Sequence, residues 1–400
     1  MKTVTVLGAT GSIGDSTLNL VAQHPDQFQV FGLSANSDVD GMLDLAERFH
    51  PRMVAMASPR AAEQLRSRLR VHADQRLRSL ECLEGEAGLT ALAQGEGPQL
   101  VVAGIVGVAG LRSVWEAVSC GHTVLLANKE ALVCAGGLMA AQSLAHGACM
   151  LPVDSEHNAI FQCLGSGYQC FTPPSHVRRL LLTASGGPFR TWRREEIAQA
   201  TPAQAVKHPN WSMGQKISVD SASLMNKGLE LIEAHWLFSM PSQQIEVVVH
   251  PQSVIHSMVE FEDGSTLAQL GSPDMRTPIG HALAWPARVS TQVASLDWTT
   301  LKQLDFEQPD LDRFPALRLA RSCLESGLAA TNVLNAANEA GVAAFLSGEL
   351  SFGAMVQVIE DTVNQLAPTL SHPTALEDVF EIDRQARAHA SGLIRRAQHA

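Results

Sequence analysis

Near its start the chain carries TVTVLGATGSIG, residues 3–14, and this stretch sets the fold of the first 150 residues. Thr3–Leu7 is a short β-branched run typical of a buried strand, and a helical pattern runs over Ser16–Gln23. Glycines in G-x-x-G-x-x-G spacing let the backbone approach a pyrophosphate, and the N–H groups that open the helix carry the positive end of its dipole. The stretch therefore predicts a strand, a dinucleotide-binding loop and a helix, although a tight turn that binds nothing would use the same residues.

Further apolar runs alternate with helical stretches along this part of the chain. They lie at Gln29–Ser34, Met53–Met56, Leu100–Val106, Thr123–Ala127 and Ala148–Val153. Alternating strands and helices predict a parallel sheet with helices on both faces. We therefore expect an α/β protein whose residues 1–150 form a Rossmann-like dinucleotide-binding domain.

The residues after the second strand read the adenosine ribose in such domains. Here they are Asn36, Ser37 and Asp38. An acid at this point usually binds the ribose 2′-hydroxyl of NAD, whereas a basic residue accommodates the 2′-phosphate of NADP, so Asp38 by itself favours NAD. Asp38 would serve equally well as the cap of the next helix.

Two carboxylates stand where the last strand of this domain ends. A strand-to-helix turn at Ser155 would aim Asp154 and Glu156 into one crevice. Carboxylate oxygens suit magnesium or manganese, although an acidic first turn exposed to solvent is the simpler alternative. Lys129 follows the preceding predicted strand, at the sheet edge where ligands bind, and is a candidate substrate contact.

Two loops beyond residue 160 carry candidate ligand contacts. A predicted strand at Val177–Thr183 ends in Ser185-Gly186-Gly187-Pro188, which offers N–H groups and a hydroxyl to an anion, or forms an ordinary turn. The loop KHPNWSMGQK, residues 207–216, holds Trp211 and Met213 outside any periodic pattern. This composition predicts a lid that closes over a ligand, with a tryptophan buried in a neighbouring core as the alternative.

A predicted helix at Leu224–Phe238 presents three polar side chains on one face. Asn226, Lys227 and Glu230 are spaced i, i+1 and i+4, and Ser221 lies just before them. A surface ion pair between Lys227 and Glu230 would contribute little to stability. Beside the acidic turn, Glu230 becomes a candidate third metal ligand and Lys227 a candidate phosphate contact.

The remaining patterns predict a second sheet and a helical bundle. Antiparallel strands are predicted at Ile245–His250, Ser253–Glu262 and Ser265–Leu270, and an exposed edge there would allow a homodimer. Helical patterns follow at 315–326, 331–347, 352–366 and 383–398. We expect an α+β catalytic and metal-binding domain with a mostly antiparallel sheet at 151–285, also the dimerisation domain, then a linker at 286–311 and a C-terminal α-helical bundle at 312–400.

Composition limits the function classes. The 400 residues contain 29 Lys and Arg against 40 Asp and Glu, a net charge of -11, which argues against a nucleic-acid or anionic-membrane surface. The seven cysteines form no C-x-x-C pair, which favours a reducing compartment. Because the sequence lacks an apolar run long enough to span a membrane, we expect a soluble cytoplasmic protein.

Five stretches in this order carry a family resemblance. They are residues 8–14 (GATGSIG), 127–130 (ANKE), 152–158 (PVDSEHN), 208–214 (HPNWSMG) and 225–230 (MNKGLE). Together they resemble the 1-deoxy-D-xylulose 5-phosphate reductoisomerases over essentially the whole chain. The stretches between 152 and 230 are specific to that family, whereas the glycine loop is generic.

The resemblance implies a role for each matching residue. It implies that Mn²⁺ or Mg²⁺ binds Asp154, Glu156 and Glu230. It implies substrate contacts from Lys129, Ser155, Glu156, Ser185, His208, Trp211, Met213, Ser221, Asn226, Lys227 and Glu230. It implies cofactor contacts from Thr10, Gly11, Ser12, Ile13, Asn128, Glu130 and Gly214, with Asn36, Ser37 and Asp38 at the ribose. Catalysis would rest on Lys129, Asp154, Glu156, Lys227 and Glu230, and Lys129, Lys227, Glu156 or the substrate's own hydroxyls would move the proton.

The implied reaction is a metal-dependent retro-aldol and aldol rearrangement of 1-deoxy-D-xylulose 5-phosphate, followed by NADPH-dependent reduction to 2-C-methyl-D-erythritol 4-phosphate. The family often has Gly-Lys-Asn where this chain has Asn36-Ser37-Asp38, so we expect NADPH without that direct lysine contact. Two rival interpretations are a metal-independent NAD(P) dehydrogenase of another phosphorylated sugar and a dinucleotide-sensing regulator without enzymatic activity.

Overall fold

The structure is a computed structural model that describes residues 1–97, 100–211 and 213–398. The chain divides into two compact units. Unit 1 comprises Met1–Ala131, Ala141–Asn158 and Asp274–Val293, and unit 2 comprises Leu132–Ala140, Ala159–Pro273 and Ala294–Ala400. Within the described ranges, no helix is long and apolar enough to cross a membrane. The domain boundaries expected from the sequence remain predictions.

Unit 1 is built on a parallel sheet, as predicted, and the sheet has seven strands. Its strands are β1 (Lys2–Leu7), β2 (Phe28–Ala35), β3 (Met53–Met56), β4 (Glu81–Glu84), β5 (Leu100–Ala103), β6 (Thr123–Leu126) and β7 (Cys149–Pro152). The strand order is β4-β3-β2-β1-β5-β6-β7, so the chain builds outward from β1 and then returns to add β5 on its other side. In sheets of this kind, ligands bind in the crevice at such a reversal.

Helices follow or flank these strands over the described residues up to Leu164. They are α1 (Ser12–Gln23), α2 (Val39–Phe49), α3 (Pro59–Arg70), α4 (Gln75–Arg78), α5 (Gly85–Gln94), α6 (Leu111–Ser119), α7 (Glu130–His146) and α8 (Ser155–Leu164). Strand β4 was not predicted because it is an edge strand with exposed glutamates at both ends. The interior strand β5 is buried throughout and its sequence is a continuous apolar run, because both faces of a parallel sheet are covered.

Unit 2 contains a four-stranded mixed sheet. Its strands are β8 (Val177–Ala184), β9 (Ile245–Val249), β10 (Ile255–Phe261) and β11 (Thr266–Leu270), in the order β11-β10-β8-β9. Strand β10 is antiparallel to both neighbours, as predicted. The prediction that β9 is antiparallel was wrong: it runs parallel to β8, because a long helical connection carries the chain back before β9 begins.

More helices lie in the described residues after β8. They are α9 (Arg194–Ala198), α10 (Pro202–Ala205), α11 (Gln215–Ala222), α12 (Met225–Phe238), α13 (Arg276–Ala284), α14 (Ala316–Ser326), α15 (Leu328–Leu346), α16 (Phe352–Leu366) and α17 (Leu376–Ala397). The last four confirm the predicted C-terminal bundle, although α17 begins earlier than expected. Helix α13 was not predicted, because the prolines around it indicated a connection, yet Pro278 lies in its first turn, where proline is tolerated.

The glycine loop after β1 is tightly packed. Gly8 has a left-handed φ of 81°, and a Cβ there would lie 2.8 Å from the carbonyl oxygen of Gly104 at the end of β5. A Cβ on Gly14, inside α1, would lie 2.4 Å from the carbonyl oxygen of Ala9. Glycine is therefore required at both positions to hold α1 against the carboxyl edge of the sheet.

A glycine-to-alanine pair tests this packing. Alanine normally stabilises a helix over glycine by roughly 1 kcal/mol. We expect Gly14→Ala to have the opposite effect and to lower the free energy of unfolding by about 1–3 kcal/mol, because the new methyl group displaces backbone atoms. Gly392→Ala in α17 is the control, since its Cβ position has no described atom within 4 Å.

The measurement is the thermal unfolding midpoint of each variant against the parent protein. Gly14→Ala should lower the midpoint, whereas Gly392→Ala should leave it unchanged or raise it. Equal midpoints for the two variants would contradict the close packing of α1 on the loop.

Candidate active site

The glycine loop is fastened to the neighbouring strand. The Gly8 N–H donates to the Ser34 hydroxyl at 3.0 Å, and the Ala9 N–H donates to the Ser34 carbonyl at 2.7 Å. Gly11 and Ser12 are exposed where α1 begins, so the first N–H groups of a 12-residue helix face the sheet's carboxyl edge. Thr10 and Ile13 flank them, and this arrangement fits a dinucleotide pyrophosphate.

The predicted ribose-reading segment is exposed at Asn36, Ser37 and Asp38. Asp38 is the N-cap of α2, because its carboxylate accepts the Gly41 N–H at 2.9 Å. The alternative interpretation of Asp38 as a helix cap is thus what the structure shows. Its charge is already engaged by the helix N-terminus.

Asn128 and Glu130 follow β6 and are buried. The Asn128 amide donates to the carbonyls of Ile105 and Gly107, at 2.5 and 2.9 Å, and its oxygen accepts the Ala131 N–H at 2.9 Å. One side chain therefore ties the loop after β5 to the start of α7. Glu130 lies in the first turn of α7, where an acid is favourable.

The acidic turn after β7 is an ordered charge cluster. Lys129 Nζ lies 2.5 Å from Asp154 Oδ2, and both side chains are largely buried, at 11% and 20% exposure. The Ser155 N–H donates to Asp154 Oδ1 at 3.0 Å, and its hydroxyl donates to Glu156 Oε2 at 2.6 Å. These contacts exclude the alternative of a turn that is merely exposed to solvent.

Two residues to which the sequence assigned no role hold this turn. The Asn158 N–H donates to the Asp154 carbonyl at 2.8 Å, and the Asn158 amide donates to the Pro152 carbonyl at 2.8 Å. The same amide nitrogen lies 3.2 Å from His281 Nδ1, in α13. Burial, with a contribution from Arg288, lowers the pKa of His281 to about 4. The ring is therefore neutral and its Nδ1 accepts the amide proton.

In unit 2 the predicted phosphate residues Ser185 and Ser221 lie close together. The loop after β8 turns through left-handed φ angles at Gly186 and Gly187, and a Cβ on Gly187 would lie 2.5 Å from the Ser221 carbonyl oxygen. Only glycine allows this approach of the loop to the end of α11. The Gly187 N–H donates to the Ser185 hydroxyl oxygen at 3.1 Å.

His208 is brought to the same place. Its Nδ1 accepts the backbone N–H groups of Asn210 and Trp211, at 3.2 and 2.9 Å, so this nitrogen carries no proton. The proton of the neutral ring is on Nε2, which lies 2.8 Å from the Ser185 hydroxyl and donates to it. Since Ser185 also accepts from Gly187, its own hydroxyl proton points elsewhere and suits a phosphate oxygen.

The predicted lid segment is anchored at one side. The Asn210 amide donates to the Pro251 carbonyl and the Ser253 hydroxyl, at 2.7 and 2.9 Å. The Trp211 ring packs at a tilt against His256, with 5.9 Å between ring centroids.

Trp211 and Met213 are both half-buried, and Gly214 is exposed at the N-cap of α11. The Trp211 ring is thus partly covered by its neighbours, and both the lid and the alternative of a tryptophan packed on a neighbouring core stay predictions. Ser212, which stands between them, lies outside the described residues.

Helix α12 presents its three predicted residues as one cluster. The Asn226 amide donates to Glu230 Oε1 at 2.5 Å, and the Lys227 ammonium donates to Glu230 Oε2. The side chains of Lys227 and Glu230 are 4% and 1% exposed. They are thus a buried ion pair, and the surface-pair alternative is wrong.

Asp220 is another buried acid, which the sequence did not single out. Lys216 Nζ lies 2.9 Å from its Oδ2, and the Asn338 amide of α15 donates to its Oδ1 at 2.8 Å. These contacts fix α11, the helix that begins at the end of the lid segment and ends just after Ser221. No local pattern could have indicated the Asn338 contact, because Asn338 is 118 residues away. The Lys216–Asp220 pair, in contrast, has the local i,i+4 spacing of a helix.

Comparisons with known proteins agree along the whole chain. Residues 4–136 match the family model described as 1-deoxy-D-xylulose 5-phosphate reductoisomerase, residues 150–238 match the C-terminal domain of that family, and residues 270–389 match a DXP reductoisomerase C-terminal domain. A relative of that name from Acidithiobacillus ferrooxidans is 53% identical over 384 residues, covering 96% of this chain and 95% of its own length. One from Zymomonas mobilis is 51% identical over 395 residues, covering 98% of each.

Solved structures extend the agreement to three dimensions. A DOX-P reductoisomerase in complex with NADPH, fosmidomycin and magnesium superposes with a TM-score of 0.93 at 42% identity, covering 99% of this chain and 98% of that one. The Zymomonas mobilis enzyme in complex with NADPH gives 0.89 at 49% identity, covering 98% of each. The resemblance inferred from five short stretches is thereby confirmed, and the chain belongs to the 1-deoxy-D-xylulose 5-phosphate reductoisomerase family.

Proposed function

We propose that these residues carry out the family's reaction. The protein is an oxidoreductase that isomerises 1-deoxy-D-xylulose 5-phosphate and reduces the product with NADPH to 2-C-methyl-D-erythritol 4-phosphate, for isoprenoid precursor biosynthesis. The observation that carries this proposal is the family match along nearly the entire chain, with relatives that are 53% and 51% identical in sequence. Solved relatives bind NADPH and magnesium, which supports the same cofactors here.

Asp154, Glu156 and Glu230 form the cation site in this proposal. Their donor atoms are carboxylate oxygens, the ligands that magnesium and manganese prefer. Ammonium groups already lie against Asp154 and Glu230, which supports a site that favours cations. The bound ion supplies Lewis-acid chemistry at the substrate's carbonyl oxygen.

The lysines have a second task. A cation on Asp154 competes with Lys129, and a cation on Glu230 competes with Lys227, for the same carboxylates. Each ammonium is then available to a substrate oxygen. Together with Glu156, these lysines are the groups that we assign to moving the proton during the rearrangement.

The phosphate of the substrate binds Ser185, Ser221, Asn226 and Lys227, with His208 beside them. The loop geometry supports this, because the Ser185 hydroxyl has both its acceptor positions filled by Gly187 and His208 and keeps its proton for the ligand. The phosphate does not react, so its binding energy is available to orient the reacting carbons. Trp211 and Met213 close over them and exclude water.

NADPH binds along the carboxyl edge of the parallel sheet. The glycine loop offers its backbone N–H groups at Thr10, Ser12 and Ile13 to the pyrophosphate. The Gly11 N–H donates to the Gly8 carbonyl at 3.1 Å, and Gly11 contributes by letting the backbone approach the ligand. Asn128, Glu130 and Gly214 complete the proposed cofactor contacts. Ser155, within the acidic turn, is a proposed contact to the substrate.

We also propose a cytoplasmic homodimer. Strand β11 is the edge of its sheet and begins with exposed residues, and the Leu267 side chain on it is 50% exposed. An unpaired strand edge with an apolar side chain is a template for pairing with a second copy.

The activity test is NADPH oxidation on addition of 1-deoxy-D-xylulose 5-phosphate. We expect turnover with Mn²⁺ or Mg²⁺, its loss after chelation and its return when metal is restored. Glu230→Gln should lower turnover by at least about a hundredfold and weaken Mn²⁺ binding, because it removes an anionic ligand. Glu195→Gln, at an exposed acid, is the control and should behave as the parent protein. Full activity in chelator would instead favour a metal-independent dehydrogenase.

Trp211→Ala tests the lid. We expect a lower kcat and a higher KM for the sugar phosphate with little change in the unfolding midpoint, because Trp211 is only half-buried. Trp298→Ala is the matched control, since that ring is 68% exposed. Unchanged kcat and KM in Trp211→Ala would remove the lid from the mechanism.

The oligomeric state is tested by sedimentation equilibrium. We expect a mass twice that of the 42.9 kDa chain. Leu267→Lys should shift the equilibrium toward the single chain, because it places a charge on the exposed edge. A single-chain mass for the parent protein would refute the dimer.

A further inference from the structure

A cofactor with a 2′-phosphate needs a positive partner where its ribose binds. The segment after β2 offers none, since Asn36 and Ser37 are uncharged and Asp38 caps α2. In doubly wound folds a nearby arginine can supply that contact. This inference rests on the proposed function, because NADPH carries the 2′-phosphate and NADH does not.

The next strand brings one candidate to the same edge. Strands β2 and β3 pair as far as Ala35 and Met56, and the pairing continues beyond them. The Ala57 N–H donates to the Ala35 carbonyl at 2.9 Å, and the Ser58 N–H donates to the Asn36 carbonyl at 3.0 Å. The loop that leads into α3 therefore lies directly against the ribose-reading segment. Arg60 is the second residue of that helix.

The direction of a helical side chain favours Arg60 further. Cα–Cβ bonds tilt toward the helix N-terminus, so a long side chain in the first turn of α3 reaches over the carboxyl edge of the sheet. Arg60 is exposed, and none of the ion pairs found among the described residues involves it. Its guanidinium is thus available to a ligand.

Neighbouring charges are already compensated. The Asp38 carboxylate accepts the Gly41 N–H, and Asp40 is paired with Arg68. Arg66, further along α3, is paired with Glu84 at 2.6 Å. Arg60 lies in the first turn of α3, and among the described residues it has no carboxylate partner.

We propose that Arg60 binds the 2′-phosphate of NADPH and sets the preference for NADPH over NADH. A guanidinium can donate two parallel hydrogen bonds to a phosphate, and the N-terminal N–H groups of α3 add positive potential at the same point. The positive charge that the residues after β2 lack is thus supplied by Arg60, at the start of the helix that follows β3.

The test compares three variants of the full-length protein. Arg60→Met removes the charge, Arg60→Lys keeps it, and Arg70→Met removes another exposed arginine, from the other end of α3. Equilibrium binding of NADPH and of NADH is followed by nucleotide fluorescence. Competition by adenosine 2′,5′-bisphosphate and by adenosine 5′-monophosphate isolates the 2′-phosphate itself.

We expect Arg60→Met to raise the Kd for NADPH and for the bisphosphate by roughly 10- to 100-fold, the range of a charged hydrogen bond, and to leave NADH and the monophosphate unchanged. Arg60→Lys should restore part of the difference, and Arg70→Met should match the parent protein. An unaltered NADPH Kd in Arg60→Met, or an equal loss of NADH affinity, would overturn the assignment. Failure of the proposed function is distinct, since it would show as no NADPH oxidation with the sugar phosphate in the parent protein.

Discussion

The structure depends on the pairing of acids with lysines in places that water reaches poorly. An ionised carboxylate loses its hydration on burial and is tolerated only beside a positive charge or several donors. Lys129 serves Asp154, and Lys227 with Asn226 serves Glu230. In the proposed reaction these acids would hold the cation, and Lys129 and Lys227 would then be available to the substrate. The charges that catalysis needs are thus already present and compensated in the folded chain.

A second layer of contacts keeps these charges in position. Asn158 and the neutral His281 hold the backbone of the acidic turn, and Asp220 fixes α11 through Lys216 and Asn338. Sites whose side chains are oriented by such supporting hydrogen bonds lose less entropy when the ligand binds. The glycine loop is held both by its hydrogen bonds to Ser34 and by close packing, since Gly8 and Gly14 admit no side chain.

The features that could be predicted from the sequence are those that depend on residues close together in the chain. The glycine spacing indicated the strand, loop and helix, and helical periodicity placed Asn226, Lys227 and Glu230 on one face, because both depend on neighbours within a few residues. It missed β4, the parallel direction of β9 and α13, because an edge strand, a crossover and a helix with early prolines give weak local patterns. The contacts of His281 with Asn158 and of Asn338 with Asp220 could not be predicted, since each joins residues more than a hundred positions apart.

His208 connects the proposed phosphate residue Ser185 to the proposed lid segment within unit 2. One ring nitrogen donates to Ser185, where we place the phosphate, and the other accepts the N–H groups of Asn210 and Trp211 in the lid segment. A phosphate that fixes the Ser185 hydroxyl also fixes the imidazole, and the imidazole fixes the backbone that carries Trp211. In the proposed function, binding energy from the phosphate, which does not react, would thereby help to close the lid segment over the reacting carbons.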